Sequence, residues 1–504
     1  MSCSYQGTRR WAWTAALGAT LAVGATAQAE ESHAIAEPLS EHGASIPVPA
    51  GASEEDRDAA VQSVVPSPPS KTAEQRLQEL EDTVRRLQDE LARLRAQTEK
   101  PVDPKQVEKV VDDRLKKQTP TAGWNNGFFI QSEDGEFRLR LRALIHADAR
   151  TFTSSSGFTG VNTFYLRRAR PVLEGSLTKY FDFRLMPDFG EGRTILQDAS
   201  VDVNIRPEAR LRLGKTKEPF SLERLQGASD LHFIERSIAN NLGPNRDVGV
   251  QLFGDLFHGT LSYQLGGYNG APDGGSVDTD PGNDKDFVGR LFVQPFRNQA
   301  KSPLKELGVG VAATIGQRDE TFTSVSDRTT GRSTFFHYSS GVSGNGTLRR
   351  IAPQLSYFHG PWGLMGEYMT NRQALVRGET RGETTNQGGF LQATYVLTGE
   401  KATYRGLIPN KPFDPGKHQW GAFELGLRYS QISFDNDNYR LGFSSLTDSV
   451  RNARAWTVGL NWYLNRTFKL QLNYERTDFD HAILLGTQRF DHEDVFLSRI
   501  QVAF

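Results

Sequence analysis

From Gly123 to Phe504 the chain alternates apolar and polar residues in segment after segment of about ten residues, with turn residues between them. The segment Phe137-Arg-Leu-Arg-Leu-Arg-Ala143 poses the structural question most sharply. Successive side chains of a β-strand face opposite sides. Phe137, Leu139, Leu141 and Ala143 therefore share one face, and Arg138, Arg140 and Arg142 share the other. A soluble sheet would bury the Leu face and show the Arg face to water. A membrane barrel would turn Leu to lipid and Arg to a water-filled lumen.

Several features favour the barrel. No apolar run beyond the N-terminal region approaches the roughly 20 residues of a membrane helix, and the mean hydropathy is −0.51. A barrel tolerates that value because half of each strand is polar. Counting segments gives about sixteen strands. Asn465–Thr467 joins two of them tightly, whereas Thr477–Asp494 reads as a long connection, the alternation of short turns and long loops expected of outer-membrane barrels. In the last part of the chain Trp456, Val458, Leu460, Trp462 and Leu464 share one face, and Phe468, Leu470, Leu472 and Tyr474 repeat the pattern. The aromatics sit toward segment ends, as interfacial girdles do. The chain stops at Phe504, with Phe496, Ile500 and Val502 on the same parity, like the assembly signal of bacterial outer-membrane barrels. The expected fold is all-β: a transmembrane antiparallel β-barrel of about sixteen strands over 123–504.

The N-terminal part is organised differently. Arg9 and Arg10, the short apolar stretch Trp11–Ala25 and Ala27-Gln-Ala29 form a secretory signal over 1–29, with Glu30 as the mature start. The only cysteine, Cys3, lies inside it, so the exported chain has no thiol for disulfides, nucleophilic catalysis or zinc. Residues 30–70 are a flexible Pro/Ala/Ser-rich linker. In 71–98, Leu77, Leu80, Val84, Leu87, Leu91 and Leu94 are spaced 3, 4, 3, 4, 3, a heptad seam. Arg76 with Glu81, and Glu90 with Arg95, are complementary across a parallel pair. A periplasmic α-helical coiled coil is expected here, open in strand number and placed for contact with the cell wall. A linker over 99–122 follows, with a short helix near Gln106–Lys117. The net charge of −1 provides no field for nucleic acid.

If the polar faces line a lumen, the first half of the barrel is cationic inside. Arg138, Arg140, Arg142, Arg168, Arg170, Arg184, Arg210 and Arg212 all fall on lumen parity. Arg167 sits opposite Arg168 by strict alternation. Guanidinium groups in file offer forked donors to phosphate oxygens and enrich anions. Asp148, Glu174, Asp182, Asp188, Asp198 and Asp202 share that parity and can pair with the arginines, giving the transverse field of a general pore. The stretch Gly214–Gly249 leaves the strand rhythm and is too long for a plain turn. It carries Lys215, Lys217, Arg224, Arg236 and Arg246. Neither Gly-x-Ser-x-Gly nor His-Glu-x-x-His occurs, so no enzyme, cofactor or metal site is expected. Asp278–Asp286 offers oxygen ligands for Ca²⁺ but lacks the EF-hand spacing, and reads as a solvated loop.

Leu166-Arg-Arg-Ala-Arg170, Phe183-Arg-Leu-Met-Pro-Asp-Phe189, Lys217-Glu-Pro-Phe-Ser-Leu-Glu223, Phe233-Ile-Glu-Arg236 and Pro244-Asn-Arg-Asp-Val-Gly249 together resemble the phosphate- and polyphosphate-selective outer-membrane porin family. The resemblance implies a trimeric sixteen-stranded barrel whose third loop folds inward and whose arginine ladder leads to a phosphate site. It implies that Arg142, Arg167 and Arg168 are central arginines and that Asp202 is the acidic residue beside them. Lys217 and Ser221 would be loop donors, with Arg236 beyond. Phosphate, pyrophosphate or polyphosphate would permeate, in a barrel that meets lipid bilayer and lipopolysaccharide. The heptad extension resembles that of the sucrose-specific porin instead, which keeps a sugar-specific or general-diffusion pore as the alternative.

Overall fold

The computed structural model describes residues 73–98, 120–153, 160–279, 282–319 and 326–504. The expected signal peptide, the linker 30–70 and the short helix near 106–117 lie outside the described residues. The chain forms two units, 1–100 and 101–504.

In the first unit, helix α1 spans Ala73–Thr98. All six seam residues, from Leu77 to Leu94, are at least half exposed.

The second unit is one sheet closed on itself. A hairpin, β1 (Thr121–Trp124) and β2 (Phe128–Gln131), precedes the wall. The first nine wall strands are β3 (Arg138–Phe152), β4 (Thr163–Thr178), β5 (Phe181–Asp188), β6 (Ile195–Arg206), β7 (Ala209–Lys217), β8 (Arg246–Leu256), β9 (Leu261–Tyr268), β10 (Asp286–Val293) and β11 (Gly308–Arg318). A small separate hairpin follows, β12 (Ser326–Arg328) and β13 (Thr334–His337). The wall resumes with β14 (Val342–His359), β15 (Trp362–Arg377), β16 (Thr380–Val396), β17 (Ala422–Ser433), β18 (Asn452–Tyr463), β19 (Phe468–Leu485) and β20 (Gln488–Ala503). Each wall strand pairs antiparallel with the next, and β20 returns to β3 from Val495↔Phe152 to Ala503↔Leu144, closing a sixteen-stranded barrel. The count agrees with the expectation of about sixteen strands.

The β1–β2 hairpin continues the edge that β20 leaves free. Phe128 pairs with Leu141 and Gln131 with Arg138, while Phe504 and Ala143 exchange both backbone hydrogen bonds. The Trp124 ring rests 5.4 Å from that of Phe504, so the C-terminal aromatic is packed rather than dangling. Thr477–Asp494 departs from its expected role as a loop. β19 and β20 run through it to a tight turn after Leu485, so it is the far end of a long hairpin.

The outer face is apolar: Leu139, Leu213, Val250, Leu391 and Leu472 are all exposed. Aromatic pairs mark two levels, Trp362 with Tyr395 at 4.3 Å and Tyr429 with Trp456 at 4.8 Å. No described helix is long and apolar enough to cross a membrane; the crossing is made by strands. The packed core lies inside the barrel. The β12–β13 hairpin folds inward and buries Phe335 and Phe336 among Phe434, Phe479 and Phe490, with Phe336 stacked on Phe434 at 3.8 Å. The acidic loop after β9 is used for ion pairing: Asp278 meets Lys215 at 2.5 Å and Asp286 meets Arg318 at 2.6 Å. Among the described residues no cluster suited to a metal ion occurs.

Candidate functional site

The segment between Lys217 and Arg246 crosses the lumen and is pinned to one side of it. Phe233 lies in a notch made by Gly426 and Gly459, which are directly opposite each other on β17 and β18. A Cβ on either glycine would come within 2.9 or 3.2 Å of the Phe233 ring. Arg428 stacks on that ring at 4.5 Å and reaches Glu223 at 3.2 Å and Glu475 at 3.3 Å. The Ser221 hydroxyl and the Leu222 N–H both donate to Glu367, at 2.7 and 2.8 Å. Arg499 donates to the Ile234 carbonyl at 2.6 Å. From the turn after β16, the Tyr404 hydroxyl donates to the Leu222 carbonyl at 2.7 Å. The loop thus fills the side of β14–β20 and leaves a passage along the β3–β8 wall, which carries the arginine-rich strands.

Two chambers lie along that wall. One, of about 440 Å³, lies on the side of the inward hairpin; the other, of about 540 Å³, lies on the side of the short strand turns. In outer-membrane barrels short turns face the periplasm, so these are the outer and inner chambers. Lys217 is the one residue lining both. Their charge differs. The outer chamber is lined by ten Lys and Arg against three carboxylates, Asp188, Glu191 and Glu235. The inner chamber has five against four.

At the neck the Lys217 ammonium donates to the carbonyls of Gln226 at 2.9 Å and Leu225 at 3.3 Å. Arg236 donates to the carbonyls of Glu223 at 3.0 Å and Gln226 at 2.9 Å. Arg224 donates to that of Asn240 at 2.9 Å. Among the described residues none of these three cations forms a salt bridge with a carboxylate. Burial, reinforced by neighbouring cations, pushes both loop guanidinium groups down from their ordinary value, Arg224 to about 9 and Arg236 to about 10. The nearby carboxylates, Glu223 above all, oppose that shift only in part, and a bound anion would oppose it further.

The wall arginines are paired instead. Glu174 serves Arg140 at 3.5 Å, Arg142 at 3.3 Å and Arg184 at 2.6 Å. Asp198 sits between Arg184 at 3.1 Å and Arg246 at 2.8 Å. Arg212 grips Asp202 with two hydrogen bonds of 2.6 and 2.7 Å, Arg170 holds Asp188 at 2.7 Å, and Arg138 faces the Phe129 ring at 5.0 Å. Four expectations change accordingly. Arg142 lines neither chamber, because Glu174 holds it to the wall below the neck. Asp202 belongs to the inner chamber beside Arg212, not to the neck. Ser221 is fully buried, and its hydroxyl is committed to Glu367, the Arg224 N–H and Asn240. Arg167 does face the lumen. The β3–β4 register shifts between His146↔Arg168 and Ala147↔Leu166, making Arg167 the extra residue of a β-bulge. It meets Glu235 at 2.7 Å while Arg168 meets His146 at 3.1 Å.

The outer chamber also contains residues that sequence reasoning passed over. Arg332, at the tip of the inward hairpin, pairs with Glu191, which Arg167 also meets at 3.1 Å. Arg193 and Arg328 line the same space. Glu235 lay within the quoted Phe233-Ile-Glu-Arg236 motif, which was its only signal. Arg332 had none, since an extracellular Arg next to Gly331 reads as a solvated loop.

A closed barrel with an apolar belt, a loop folded across its lumen and a cation-rich passage is an outer-membrane porin. The chain belongs to the phosphate-selective porin O and P family, whose model matches residues 137–504. It is 24% identical over 410 residues to Porin O of Pseudomonas aeruginosa, covering 75% of this chain and 91% of that protein. Among solved structures it is similar to an anion-selective porin from Comamonas acidovorans (14% identity, TM-score 0.45, 73% of this chain and 100% of that one). It is also similar to the in-vitro folded outer-membrane protein OmpT of Vibrio cholerae (10% identity, TM-score 0.47, 76% and 99%).

Proposed function

We propose that this porin is a passive channel selective for phosphate and short polyphosphates. The observation that carries this reading is the neck: Lys217, Arg224 and Arg236 converge without a salt bridge among the described residues, the nearby Glu223 being held by Arg428, and they are three of the ten cations that face three carboxylates in the outer chamber. The outer chamber concentrates anions. At the neck a phosphate exchanges part of its hydration for charge-assisted donors. In the inner chamber the arginines already hold carboxylates, so the ion meets little net charge and leaves. A conducting site has to bind weakly enough to release, and the paired wall arginines provide that exit. The arginine ladder is thus a graded one.

A sugar slide would need aromatic rings in file. Phe183 is the one aromatic among the described residues lining the two chambers, which supports the anion reading over the sugar-specific alternative. The same reading takes the assembly as a homotrimer, with the heptad seam of α1 pairing between copies as a coiled coil that contacts the cell wall.

Planar-bilayer recording on the purified protein tests the channel. Chloride should carry most of the current, and millimolar phosphate should block it. Cation selectivity, or chloride current indifferent to phosphate, overturns the proposal.

A further inference from the structure

On the outer wall, away from the passage, two like charges face each other. β14 and β15 place Arg349 directly opposite Arg372. Both are exposed, whereas their strand neighbours Leu348, Arg350, Asn371 and Gln373 are buried, so both arginines point away from the lumen. Residues directly opposite on adjacent strands have Cβ atoms about 5 Å apart, and like charges there repel. Compensation is incomplete. Glu383 on β16 meets Arg372 at 2.5 Å, while Arg349 has no salt bridge among the described residues. Arg381, exposed on the same face of β16, adds a further positive charge.

The height of this cluster is informative. Along β15 the outward positions run Trp362, Leu364, Gly366, Tyr368, Thr370, Arg372. From Trp362 to Arg372 the strand advances ten steps of about 3.4 Å, which at the usual tilt of about 35–45° is a rise of about 25 Å, the height of the apolar band of such barrels. Tyr368 and Tyr429 belong to the upper aromatic level, and the arginines come just beyond it, on the side of the long loops. That is the headgroup layer of the outer leaflet. β14–β16 lie across the barrel from β3 and β4 in the strand order.

We infer that Arg349 and Arg372 form a docking site for the phosphate group of a phosphorylated outer-leaflet glycolipid. A phosphate between them relieves the repulsion and accepts from both guanidinium groups, while the acyl chains lie along the Ile351 and Leu391 surface below, both half exposed.

The test titrates the full-length protein in non-ionic detergent with diphosphorylated lipid A and with its dephosphorylated form, read by native mass spectrometry. The wild type should prefer the phosphorylated lipid. The double variant Arg349→Gln/Arg372→Gln should lose about tenfold in affinity for it, the size expected for charge-assisted contacts. Glu383→Gln should tighten binding, because it removes the competing carboxylate; this opposite direction separates a site from general damage. Phosphate block of the pore should be unchanged in both variants. Equal affinity in the double variant, equal binding of the dephosphorylated lipid, or displacement by millimolar inorganic phosphate would each overturn the inference, the last by making this a site for free phosphate.

Discussion

Lys217 and Arg236 donate to the same carbonyl oxygen, that of Gln226, each at 2.9 Å. One acceptor shared by two cations leaves both with donors to spare, at the one point common to the two chambers. Lys217→Gln should therefore weaken phosphate block by about tenfold or more, the scale of a lost charge-assisted contact in a partly dehydrated site. Arg142→Gln, which removes a cation already held by Glu174, should change it by less than about twofold. Concentration–current curves for the two variants check this, and a larger effect at Arg142 would move the selective point into the inner chamber.

The Phe233 notch makes a second prediction. A methyl group on Gly426 would come within 2.9 Å of that ring, and Arg428 stacks on it at 4.5 Å. Gly426→Ala should push the loop away from the β17–β18 wall at a cost of about 1–3 kcal/mol, the usual range for overpacking. Single-channel conductance should become noisier and phosphate selectivity should fall. An unaltered channel would mean that the ring can slide without carrying the neck with it.

How much of this was legible in the sequence depends on range. Alternation is a local consequence of a wall between lipid and water, so all sixteen segments could be read from it. Lumen facing follows by parity for Arg138, Arg140 and Arg184. Arg167 breaks the rule because a bulge depends on the register of β3 against β4, which no window along one strand contains. Carboxylate pairing is less local still. Glu235 meets Arg167 across 68 positions, and Ser221 meets Glu367 across 146. The positive charge of the first half was visible, but which cations keep it was not.

The inward hairpin should respond to pH. Asp327 on β12 is buried next to Asp273, and burial, aided by that second carboxylate, pushes it up to about 8; burial raises Asp273 as well. Arg318, Arg350 and Tyr338 line the same small cavity. The docked hairpin holds a proton on Asp327 that the undocked one releases near pH 4. Docking therefore weakens as pH rises from about 4 to about 8 and is level outside that window. Protease cleavage within the hairpin should increase over this range in the wild type, and Asp327→Asn should flatten the profile. A wild-type profile that is flat, or that falls, counts against a protonated Asp327.

The exposed seam of α1 predicts association. Leu87 is 58% exposed, and a heptad seam gains stability by packing against another copy. Leu87→Asp should loosen a purified fragment covering 71–98 from oligomer to monomer in sedimentation. An unchanged sedimentation coefficient would remove the coiled coil from the proposal and leave α1 as a lone amphipathic helix.

The unequal chambers predict a sided channel. An anion arriving from the outside meets ten cations and three carboxylates, and one arriving from the inside meets five and four. Both routes end at Lys217, so the equilibrium affinity of the neck is common to them, but local enrichment before the neck is not. In bilayers with one insertion orientation, phosphate added on the long-loop side should block chloride current at lower concentration than phosphate added on the other side. The difference should shrink as salt is raised from 0.1 to 1 M, where the screening length falls from about 10 to about 3 Å. Arg328→Gln combined with Arg193→Gln removes two outer cations without touching the neck, and should reduce the asymmetry while leaving block from the inner side as it was.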